Sequence, residues 1–430
     1  MRILIPGGKR MSLLVLKFGG TSVATVQAIE NVADKVTAEI RNGHKVAVVV
    51  SAMSGVTNQL VAWCTEISQI YDPREYDAVV ASGEQVTSGL LALALQKRGV
   101  PARSWQGWQV PVNTDIVHGK ARIESIDSEK LRASVMQGDV AVIAGFQGIA
   151  ADGRIATLGR GGSDTSAVAV AAALKADRCD IYTDVDGVYT ADPRIVNRAR
   201  KITRISYEEM LELASVGAKV LQTRSVELAM KERVPVQVLS SFAGATGSEL
   251  PGTIVIEEDK IVEQEVVSGV AHSRDEAKVT LRNLPDVPGV AARVFGPLAA
   301  AAINVDMIVQ NVSPDYKNTD LTFTVPRADL PKTLQVLKAL AQELAGMRVE
   351  SSADVAKISI VGIGMKSHVG VAQKMFTVLA EKGINIQVIT TSEIKVSVLI
   401  SEEYTELAVR SLHTAYGLDH GILDHGEKKA

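Results

Sequence analysis

The sequence lacks the features that usually identify secreted, membrane-spanning or nucleic-acid-binding proteins. Its two cysteines, Cys64 and Cys179, lie far apart in unlike contexts, which indicates free thiols in a reducing compartment rather than a disulfide or metal pair. Aromatic residues make up 4% and the formal net charge is -3, which argues against a basic nucleic-acid surface. No apolar run reaches the ~20 residues that span a bilayer, and the apolar core of the opening segment is too short for a signal peptide. We therefore expect a cytoplasmic protein that binds neither membrane nor nucleic acid.

Several common catalytic groupings are also missing. The seven histidines are scattered, and the sequence shows neither a cysteine nucleophile nor a Ser-His-Asp arrangement. An acidic loop contains Asp184, Asp186 and Asp192 but lacks EF-hand spacing, so a metal site built from protein ligands alone is not predicted. Phosphoryl transfer requires mainly positioning and positive charge, and a carboxylate acceptor is already ionised at neutral pH. The lack of a histidine base therefore fits phosphoryl transfer to a carboxylate.

The residues that are abundant indicate a large α/β protein. The chain has 430 residues, of which 46% are hydrophobic, and this length predicts about two to three domains. The informative opening stretch reads LLVLKFGGTSV, an apolar strand that ends at Gly19 and Gly20 before a helical pattern. Backbone N–H groups at such a turn can bind a phosphate, and Lys17 adds a full positive charge. An ordinary strand–turn–helix with a solvated lysine is an equally good interpretation of this stretch alone.

Two further stretches predict polar residues at the carboxyl ends of strands or at the start of a helix. The apolar run KVAVVV is followed by SAMSGVTNQL, which places Ser51, Ser54 and Thr57 where open parallel sheets bind ligands. Helix capping by Ser54, Thr57 or Asn58 explains the same residues. Glu84 falls in the first turn of a predicted helix, where it either complements the helix dipole or receives an ammonium group. Spacing does not decide between these alternatives.

The stretch TLGRGGSDTSAVAVAAAL predicts a second glycine loop before a helix. Three glycines surround Arg160, and Ser163, Asp164 and Thr165 begin a helix rich in alanine and valine. A helix without a polar face is buried, so we expect its N-terminus to point inward. Burial of Arg160 and Asp164 there would be costly without partners, which favours a bound anion and cation at this site.

Taken in order, six motifs resemble aspartate kinase, of the amino-acid kinase superfamily. They are KFGGTSV, SAMSGVTN, SGE, GRGGSDTSA, DVDGVYTADPR and VGAKVL. The resemblance implies a mostly parallel sheet between helices over residues 11–250. It also implies transfer of the ATP γ-phosphoryl group to the side-chain carboxylate of L-aspartate. The product would be 4-phospho-L-aspartate, the first step toward lysine, threonine and methionine, with Mg²⁺ arriving mainly on the nucleotide.

The resemblance also implies roles for individual residues. Lys17 and Lys219 would be catalytic lysines, and Asp164 would orient them. Glu84 would receive the amino group of aspartate, and the Arg160 guanidinium would grip its α-carboxylate. ATP would contact Lys17, Gly19, Gly20, Ser51, Ser163, Thr183, Asp184, Tyr189, Arg194 and Lys219. The remaining aspartate contacts would be Gly55, Val56, Thr57, Asn58, Gly161, Gly162 and Ser163.

The C-terminal part of the chain repeats itself. Residues 289–304 and 370–385 share their spacing, beginning with GVA and ending in IN. Each copy predicts a ferredoxin-like βαββαβ unit of roughly 80 residues. The copies resemble ACT domains, regulatory modules that bind amino acids, which we expect at 265–345 and 350–430. Exposed edges of small sheets pair readily, so a homodimer or hetero-oligomer through these modules is predicted.

The ACT resemblance implies an effector site for lysine, threonine or both. It points to Asp286, Gly289, Ala291, Asn304, Val305, Asp306 and Gln310, facing Thr391, Ser392 and Glu393 of a partner's second copy. Ordinary turn chemistry at Pro288 and Gly289 is the alternative. Two other functions stay open: another kinase of the superfamily, such as a glutamate or uridylate kinase, and a non-catalytic amino-acid sensor. The presence of Lys17, Asp164 and Lys219 argues against the sensor.

Overall fold

The computed structural model describes residues 11–217, 220–244, 246–261, 266–312, 318–344 and 346–420. These residues form two compact units that do not follow the chain in simple succession. The first unit comprises Met1–Val188, Lys201–Ala214 and Lys219–Val262. The second comprises Tyr189–Arg200, Ser215–Ala218 and Glu263–Ala430. The segment Tyr189–Arg200 thus leaves the first unit and folds with the second.

The first unit alternates strands and helices, as the sequence predicts for an α/β domain. Its strands are β1 (Leu13–Phe18), β2 (Lys45–Val50), β3 (Ala102–Trp105), β4 (Val112–Thr114), β5 (Ile123–Ile126), β6 (Val140–Ala144), β7 (Gln147–Ala150), β8 (Ile155–Thr157), β9 (Arg178–Thr183), β10 (Arg204–Ser206), β11 (Val236–Ser240) and β12 (Thr253–Ile256). Its helices are α1 (Val26–Arg41), α2 (Val56–Ile67), α3 (Pro73–Val80), α4 (Ser82–Gln96), α5 (Glu129–Gln137), α6 (Gly162–Leu174), α7 (Tyr207–Ser215) and α8 (Thr223–Glu232).

An eight-stranded sheet is the centre of the first unit, in the order β10-β12-β11-β9-β1-β2-β6-β3. The six strands from β11 to β3 run parallel, and β12 pairs antiparallel with β11. Their apolar runs are continuous because both faces are covered, as expected for parallel strands. A smaller four-stranded sheet has the order β5-β4-β7-β8. The mostly parallel sheet predicted from the sequence is confirmed.

One helical stretch of the first unit is long and apolar enough to cross a membrane. It covers Pro73–Gln96, which includes α3 and α4, and 56% of its most apolar window is buried inside the protein. Leu91 and Leu95 of α4 pack in the core with Leu16 and Val48 of the central strands. The apolar composition of this stretch is therefore explained by core packing.

The second unit contains the repeat found in the sequence. Its strands are β13 (Gly269–Pro285), β14 (Asp306–Val312), β15 (Asn318–Val325), β16 (Arg348–Val361), β17 (Val388–Thr391) and β18 (Lys395–Ser401). Its helices are α9 (Val290–Ala300), α10 (Leu330–Glu343), α11 (Val371–Glu381) and α12 (Thr405–Ala415). All six strands form one antiparallel sheet in the order β14-β15-β13-β16-β18-β17.

The two copies of the repeat share the long strands β13 and β16. The later part of β13 pairs with β15 of the first copy, whereas its first residues, 269–273, pair with 357–361 of β16. The sheet of the second copy, in which β16 pairs with β18, therefore also includes residues 269–273 from the start of β13. A repeat in sequence does not reveal this arrangement, because strand pairing depends on contacts that are distant along the chain.

Candidate active site

Four parallel strands of the first unit end at one edge of the sheet. Phe18 at the end of β1 pairs with Val50 of β2 and with Tyr182 of β9. The Gly19 N–H donates to the Tyr182 carbonyl at 3.4 Å, and the Ser51 N–H donates to the Phe18 carbonyl at 3.1 Å. The Gly145 N–H, after β6, donates to the Val50 carbonyl at 3.0 Å. The motifs that follow these strands are thereby brought together, at the edge where open parallel sheets bind ligands.

A buried ion pair joins the first and second glycine motifs. Lys17 lies near the end of β1, and its Nζ is 2.5 Å from Oδ1 of Asp164 in the first turn of α6. Each residue is only 8% exposed. Desolvation makes a buried ion pair weak evidence for stability, so its presence favours a functional role for the two charges. The predicted neighbourhood of Lys17 and Asp164 is therefore found in the structure.

The glycines at the end of β1 allow close approach of two loops. A Cβ atom at Gly20 would lie 3.1 Å from the Ala52 carbonyl oxygen, and one at Gly19 would lie 3.4 Å from Lys17 Nζ. Residues Gly20–Val23 form a short 3₁₀ turn, and the hydroxyl groups of Ser22 and Ser241 are 2.5 Å apart. A side chain at Gly20 would push the loop after β2 away from the Lys17 loop.

Glu84 is a buried carboxylate with one oxygen available to bind a cation. Its Oε1 accepts a hydrogen bond from the Ala52 N–H at 3.0 Å, whereas its Oε2 is buried without a hydrogen-bond partner among the described residues. Burial raises the pKa of Glu84 to about 7. A residue that served only to complement the dipole of α4 could do so in solvent. The buried, half-satisfied carboxylate therefore favours the ammonium-binding interpretation.

The N-terminus of α2 packs against the first turn of α4, which contains Glu84. Val56 lies 3.4 Å from the position of a Cβ atom at Gly83, the residue before Glu84. The helix is preceded by Gly55, whose φ of 83° favours glycine, and it shows no side-chain capping hydrogen bond. Capping by Ser54, Thr57 or Asn58 is therefore not what these polar residues do in the structure. Ligand contact, the other interpretation, stays a prediction for Gly55, Val56, Thr57 and Asn58.

The loop before α6 differs from expectation at Arg160. Gly159 and Gly161 adopt φ values of 77° and 73°, and the turn that they form leaves Arg160 exposed. Asp164 and Ser163 are buried as expected, and Ser163 approaches to 3.0 Å the position of a Cβ atom at Gly145. The expectation that both Arg160 and Asp164 are buried is therefore wrong for Arg160. A pattern of glycines does not indicate which way the side chain between them points.

The remaining residues that are predicted to bind the nucleotide belong to different units of the structure. Thr183 ends β9, and its hydroxyl donates to the Asp184 carboxylate at 3.1 Å. Tyr189 and Arg194 lie in the segment that folds with the second unit. The Arg194 guanidinium is exposed and forms a two-pronged pair with Asp192, with an Nη2–Oδ2 distance of 2.7 Å. The predicted catalytic Lys219 lies outside the described residues.

Most predicted effector residues lie around the turns of the first ACT copy. Gly289, with a φ of 89°, precedes α9, and Asp306 begins β14. Asp286, Ala291 and Val305 are half-buried, whereas Gly289 and the polar residues Asn304, Asp306 and Gln310 are exposed. In the second copy, Thr391, Ser392 and Glu393 are exposed at and after the end of β17.

One charged residue near this region was missed by sequence reasoning. Lys357 in β16 is 5% exposed, and its Nζ lies 2.8 Å from Asp306 and 2.9 Å from Glu276. Although Asp306 is exposed, partial desolvation opposes its ionised form, and the hydrogen bond and charge of the Lys357 ammonium nevertheless lower the pKa of that carboxyl below its ordinary value. The signal in the sequence is a single lysine within the apolar run VAKISIV.

Comparison of the chain with known proteins identifies the family to which it belongs. Residues 12–240 match the amino acid kinase family, and residues 279–343 and 358–416 each match an ACT domain. The aspartate kinase of Stutzerimonas stutzeri is 56% identical over 410 residues, which cover 95% of this chain and 98% of that protein. This chain belongs to the aspartate kinase family.

Solved structures of the aspartate kinase family share the fold. Aspartokinase III of E. coli in complex with aspartate and ADP is 29% identical, with a TM-score of 0.77, and covers 94% of this chain and 99% of its own. The same enzyme in complex with lysine and aspartate has a TM-score of 0.74 at 29% identity and the same coverage. A kinase domain followed by two ACT domains, as predicted from the sequence, is confirmed.

Proposed function

We propose that this chain is an aspartate kinase that transfers the γ-phosphoryl group of ATP to the side-chain carboxylate of L-aspartate. One carboxylate oxygen forms a bond to the γ-phosphorus, the bond from that phosphorus to the bridging oxygen breaks, and ADP leaves. The product is 4-phospho-L-aspartate, whose formation is the first step of lysine, threonine and methionine biosynthesis. The proposal rests chiefly on Glu84, a buried carboxylate with one oxygen that has no partner in the described part of the chain. Its other oxygen accepts from Ala52, just after β2, which places Glu84 at the same sheet edge as the Lys17–Asp164 pair.

Lys17 would stabilise the charge that develops on the transferring phosphoryl group. Phosphoryl transfer spreads negative charge over the phosphate oxygens, and a fixed cation in a site shielded from water stabilises this charge. Asp164 holds the Lys17 ammonium at 2.5 Å, so the cation is in place before substrates bind. Lys219 would supply a second cation. The acceptor carboxylate loses no proton in the reaction, so no general base is needed.

Aspartate would be recognised by its two other charged groups. Its ammonium group would bind the free oxygen of Glu84, which gains the partner that it lacks. Its α-carboxylate would bind the exposed guanidinium of Arg160, which has two parallel donors suited to a carboxylate. The helix start Gly55–Asn58 and the loop Gly161–Ser163 would complete the aspartate site.

ATP would bind as its magnesium complex. Within the described ranges, no group of three or more histidine, cysteine or acidic side chains could hold a metal ion, and magnesium bound to nucleotide needs few protein ligands. The amides of Gly19 and Gly20 would hold phosphates beside Lys17. The other nucleotide contacts would be Ser51, Ser163, Thr183, Asp184, Tyr189, Arg194 and Lys219.

The domain boundaries and the cellular location complete the proposal. We place the catalytic domain at 11–250 and the two ACT domains at 265–345 and 350–430, in a cytoplasmic enzyme. The ACT domains would join subunits into a homodimer or a hetero-oligomer through the edge strands β14 and β17 of their common sheet.

The proposed reaction is tested by a substrate comparison. The purified chain is supplied with MgATP and either L-aspartate, L-glutamate or UMP, and ADP release is measured. We expect ADP release with aspartate at a rate far above the other two. Faster turnover with glutamate or UMP would instead assign the chain to another activity of the superfamily, and no turnover with any acceptor would favour an amino-acid sensor.

Exchange of Arg160 for lysine should mainly affect the use of aspartate. Lysine keeps the charge but loses the two-pronged geometry, so we expect kcat/KM for aspartate to fall about 10- to 100-fold while the KM for ATP changes little. The matched control is Arg154→Lys, because Arg154 pairs with Glu75 on the same unit and has no proposed substrate role. An unchanged kcat/KM for aspartate in Arg160→Lys would contradict the proposed contact between the Arg160 guanidinium and the α-carboxylate of aspartate.

The ACT domains should make the enzyme sensitive to lysine, threonine or both. The coupling between effector and substrate sites is expected to be roughly 1–3 kcal/mol. Titration of each amino acid, alone and combined, into the aspartate assay measures it. We expect Asp306→Asn to raise the inhibitory concentration. The control Asp320→Asn breaks a pair with Arg282 elsewhere in the same ACT copy and should not. Absence of inhibition by any amino acid or mixture would contradict this regulation.

A further inference from the structure

The start of α6 packs tightly against the start of α8 within the first unit. Gly161 directly precedes α6, and Gln222 directly precedes α8. A Cβ atom at Gly161 would lie only 2.1 Å from Cγ of Gln222, so the two helix starts approach this closely because position 161 has no side chain. The position of the glycine turn before α6 therefore depends on α8.

Arg224, in the first turn of α8, holds the chain before this turn through two main-chain carbonyls. Its Nη1 donates to the Leu158 carbonyl at 2.8 Å, and its Nη2 donates to the Ala121 carbonyl at 2.7 Å. Arg224 is half-buried, whereas Leu158 and Ala121 are 2% and 0% exposed. The planar guanidinium has parallel donors for two acceptors at once, which an ammonium group lacks. One side chain thus joins α8 to two segments that are distant in the sequence.

The chain that leads to the glycine turn is fixed by further buried hydrogen bonds. The Asp77 carboxylate, which is 0% exposed, accepts the Thr157 N–H at 3.0 Å. The Ala121 N–H donates to the Thr157 carbonyl at 2.9 Å, and the Leu158 N–H donates to the Phe146 carbonyl at 2.9 Å. These bonds hold the chain up to the Leu158 amide, and the guanidinium of α8 restrains the next peptide group, where the turn begins.

The glycine turn leads directly to the ion pair of the candidate site. The Gly162 N–H donates to the Gly159 carbonyl at 3.0 Å. The Asp164 N–H donates to the Gly161 carbonyl at 3.1 Å. Asp164 Oδ1 in turn lies 2.5 Å from Lys17 Nζ. A displacement of the turn would therefore change the position of the carboxylate that holds the lysine.

We infer that Arg224 is a positioning residue that fixes the start of α6 and thereby the Asp164 carboxylate that holds the Lys17 ammonium. The kinetic part of this inference rests on the proposed function, in which Lys17 stabilises charge on the transferring phosphoryl group. A cation stabilises developing charge most effectively when it is held in place before the reaction. Loss of the restraint from α8 should therefore lower kcat without weakening the binding of ATP.

The decisive variant is Arg224→Met, which keeps an unbranched side chain and removes both hydrogen bonds. We expect kcat to fall about tenfold, while the KM for ATP stays within about threefold. Arg224→Lys keeps the charge and loses the two-pronged geometry, so kcat should fall only about two- to fourfold, and this variant takes the place of Arg224→Met if the latter does not fold. The matched control is Arg132→Met, because the Arg132 guanidinium donates to the Leu174 carbonyl at the other end of α6. Its kcat should stay within about twofold of wild type.

A double-variant cycle with Asp164→Asn shows whether Arg224 acts through Asp164. If it does, Arg224→Met should lower kcat by less than about twofold in the Asp164→Asn background, because the two losses share one cause. A full additional loss of about tenfold in that background would overturn the positioning role. A wild-type kcat in a folded Arg224→Met variant would also overturn it.

Hydrogen exchange of the intact chain separates this inference from the proposed function. We expect Arg224→Met to accelerate exchange of the Gly162 and Asp164 amides about tenfold, and Arg132→Met to leave both amides protected. If the wild-type chain phosphorylated no aspartate, the proposed function would fail while the exchange rates still tested the restraint on the turn. Unchanged exchange at both amides in Arg224→Met, or equal acceleration in Arg132→Met, would overturn the inference.

Discussion

Replacement of Lys17 by alanine will lower kcat by about 10²–10³ with a much smaller change in the KM for aspartate. This is the scale expected when one preorganised group that stabilises transition-state charge is removed. The Lys17 ammonium is held at 2.5 Å from Asp164 in a site that is almost closed to solvent. A cation in such a place interacts more strongly with developing charge than it would in water. The measurement is steady-state turnover at saturating ATP and aspartate.

The control for this variant is Lys45→Ala. Lys45 begins β2, so it lies at the opposite end of the sheet from the site, and its loss should leave kcat within about threefold. Because alanine at position 17 also leaves the Asp164 carboxylate without its ion pair, the folded state of each variant is verified by thermal unfolding. If a folded Lys17→Ala variant turned over within a few-fold of the wild-type rate, the proposed catalytic role of Lys17 would be contradicted.

Replacement of Glu84 by glutamine will lower kcat/KM for aspartate by about 10²-fold. The loss of one partner from a buried, charged hydrogen bond costs about 2–5 kcal/mol. The amide has no charge to offer the substrate ammonium group, whereas kcat at saturating aspartate should fall less. Glu209→Gln is the matched control, since Glu209 is also buried in the first helical turn and accepts a backbone N–H, from Ser206 at 3.2 Å. An equal loss in both variants would contradict a specific role for Glu84.

The acid side of the pH profile of kcat/KM for aspartate should reflect the ionisation of Glu84. Burial raises the pKa of Glu84 to about 7 in the free enzyme, and only the ionised form can pair with an ammonium group. We expect kcat/KM for aspartate to fall about tenfold per pH unit below that pKa, because this ratio reports the free enzyme. The fall should be absent in Glu84→Gln. A wild-type profile that is flat from pH 8 to 5 would contradict this assignment.

Stability should change in the opposite direction to activity. Because the folded state raises the pKa of Glu84 from 4.5 to about 7, the folded protein binds the proton more tightly than the unfolded chain. The resulting contribution to stability is present below pH 4.5 and is lost as the pH rises through 7. Glu84→Gln should therefore be more stable than wild type at pH 8, by up to about 3 kcal/mol, and similar at pH 4.5. This comparison also shows whether the Glu84→Gln variant, with its reduced kcat/KM, is folded.

The parallel core and its ligand-binding edge could be predicted because their signals are local. The apolar runs of β1, β2 and β6 each end in small or polar residues. The hydrophobic pattern and these strand-ending residues are sufficient to predict that the ends of the three strands lie at one edge of the sheet. The burial of Glu84 could not be read in this way. It depends on Ala52, which is 32 residues away in the chain and approaches closely because Gly83 has no side chain.

The errors and omissions have a common physical cause. Arg160 lies between two glycines in the left-handed region, where the direction of a side chain depends on the turn and not on the apolar pattern. Lys357 lies in an apolar run, and its partner Asp306 is 51 residues away in the chain. Contacts of this range follow from tertiary packing, to which a single sequence gives no direct access.

The central claim is that the chain phosphorylates the side-chain carboxylate of aspartate, and trapping the product tests it most directly. The chain is incubated with MgATP, L-aspartate and hydroxylamine, and the hydroxamate is identified by mass spectrometry and NMR. We predict an aspartyl hydroxamate at the side-chain carboxyl, formed in proportion to ADP and lost in the Lys17→Ala variant. A hydroxamate at the α-carboxyl, or ADP release without any hydroxamate, would contradict the account.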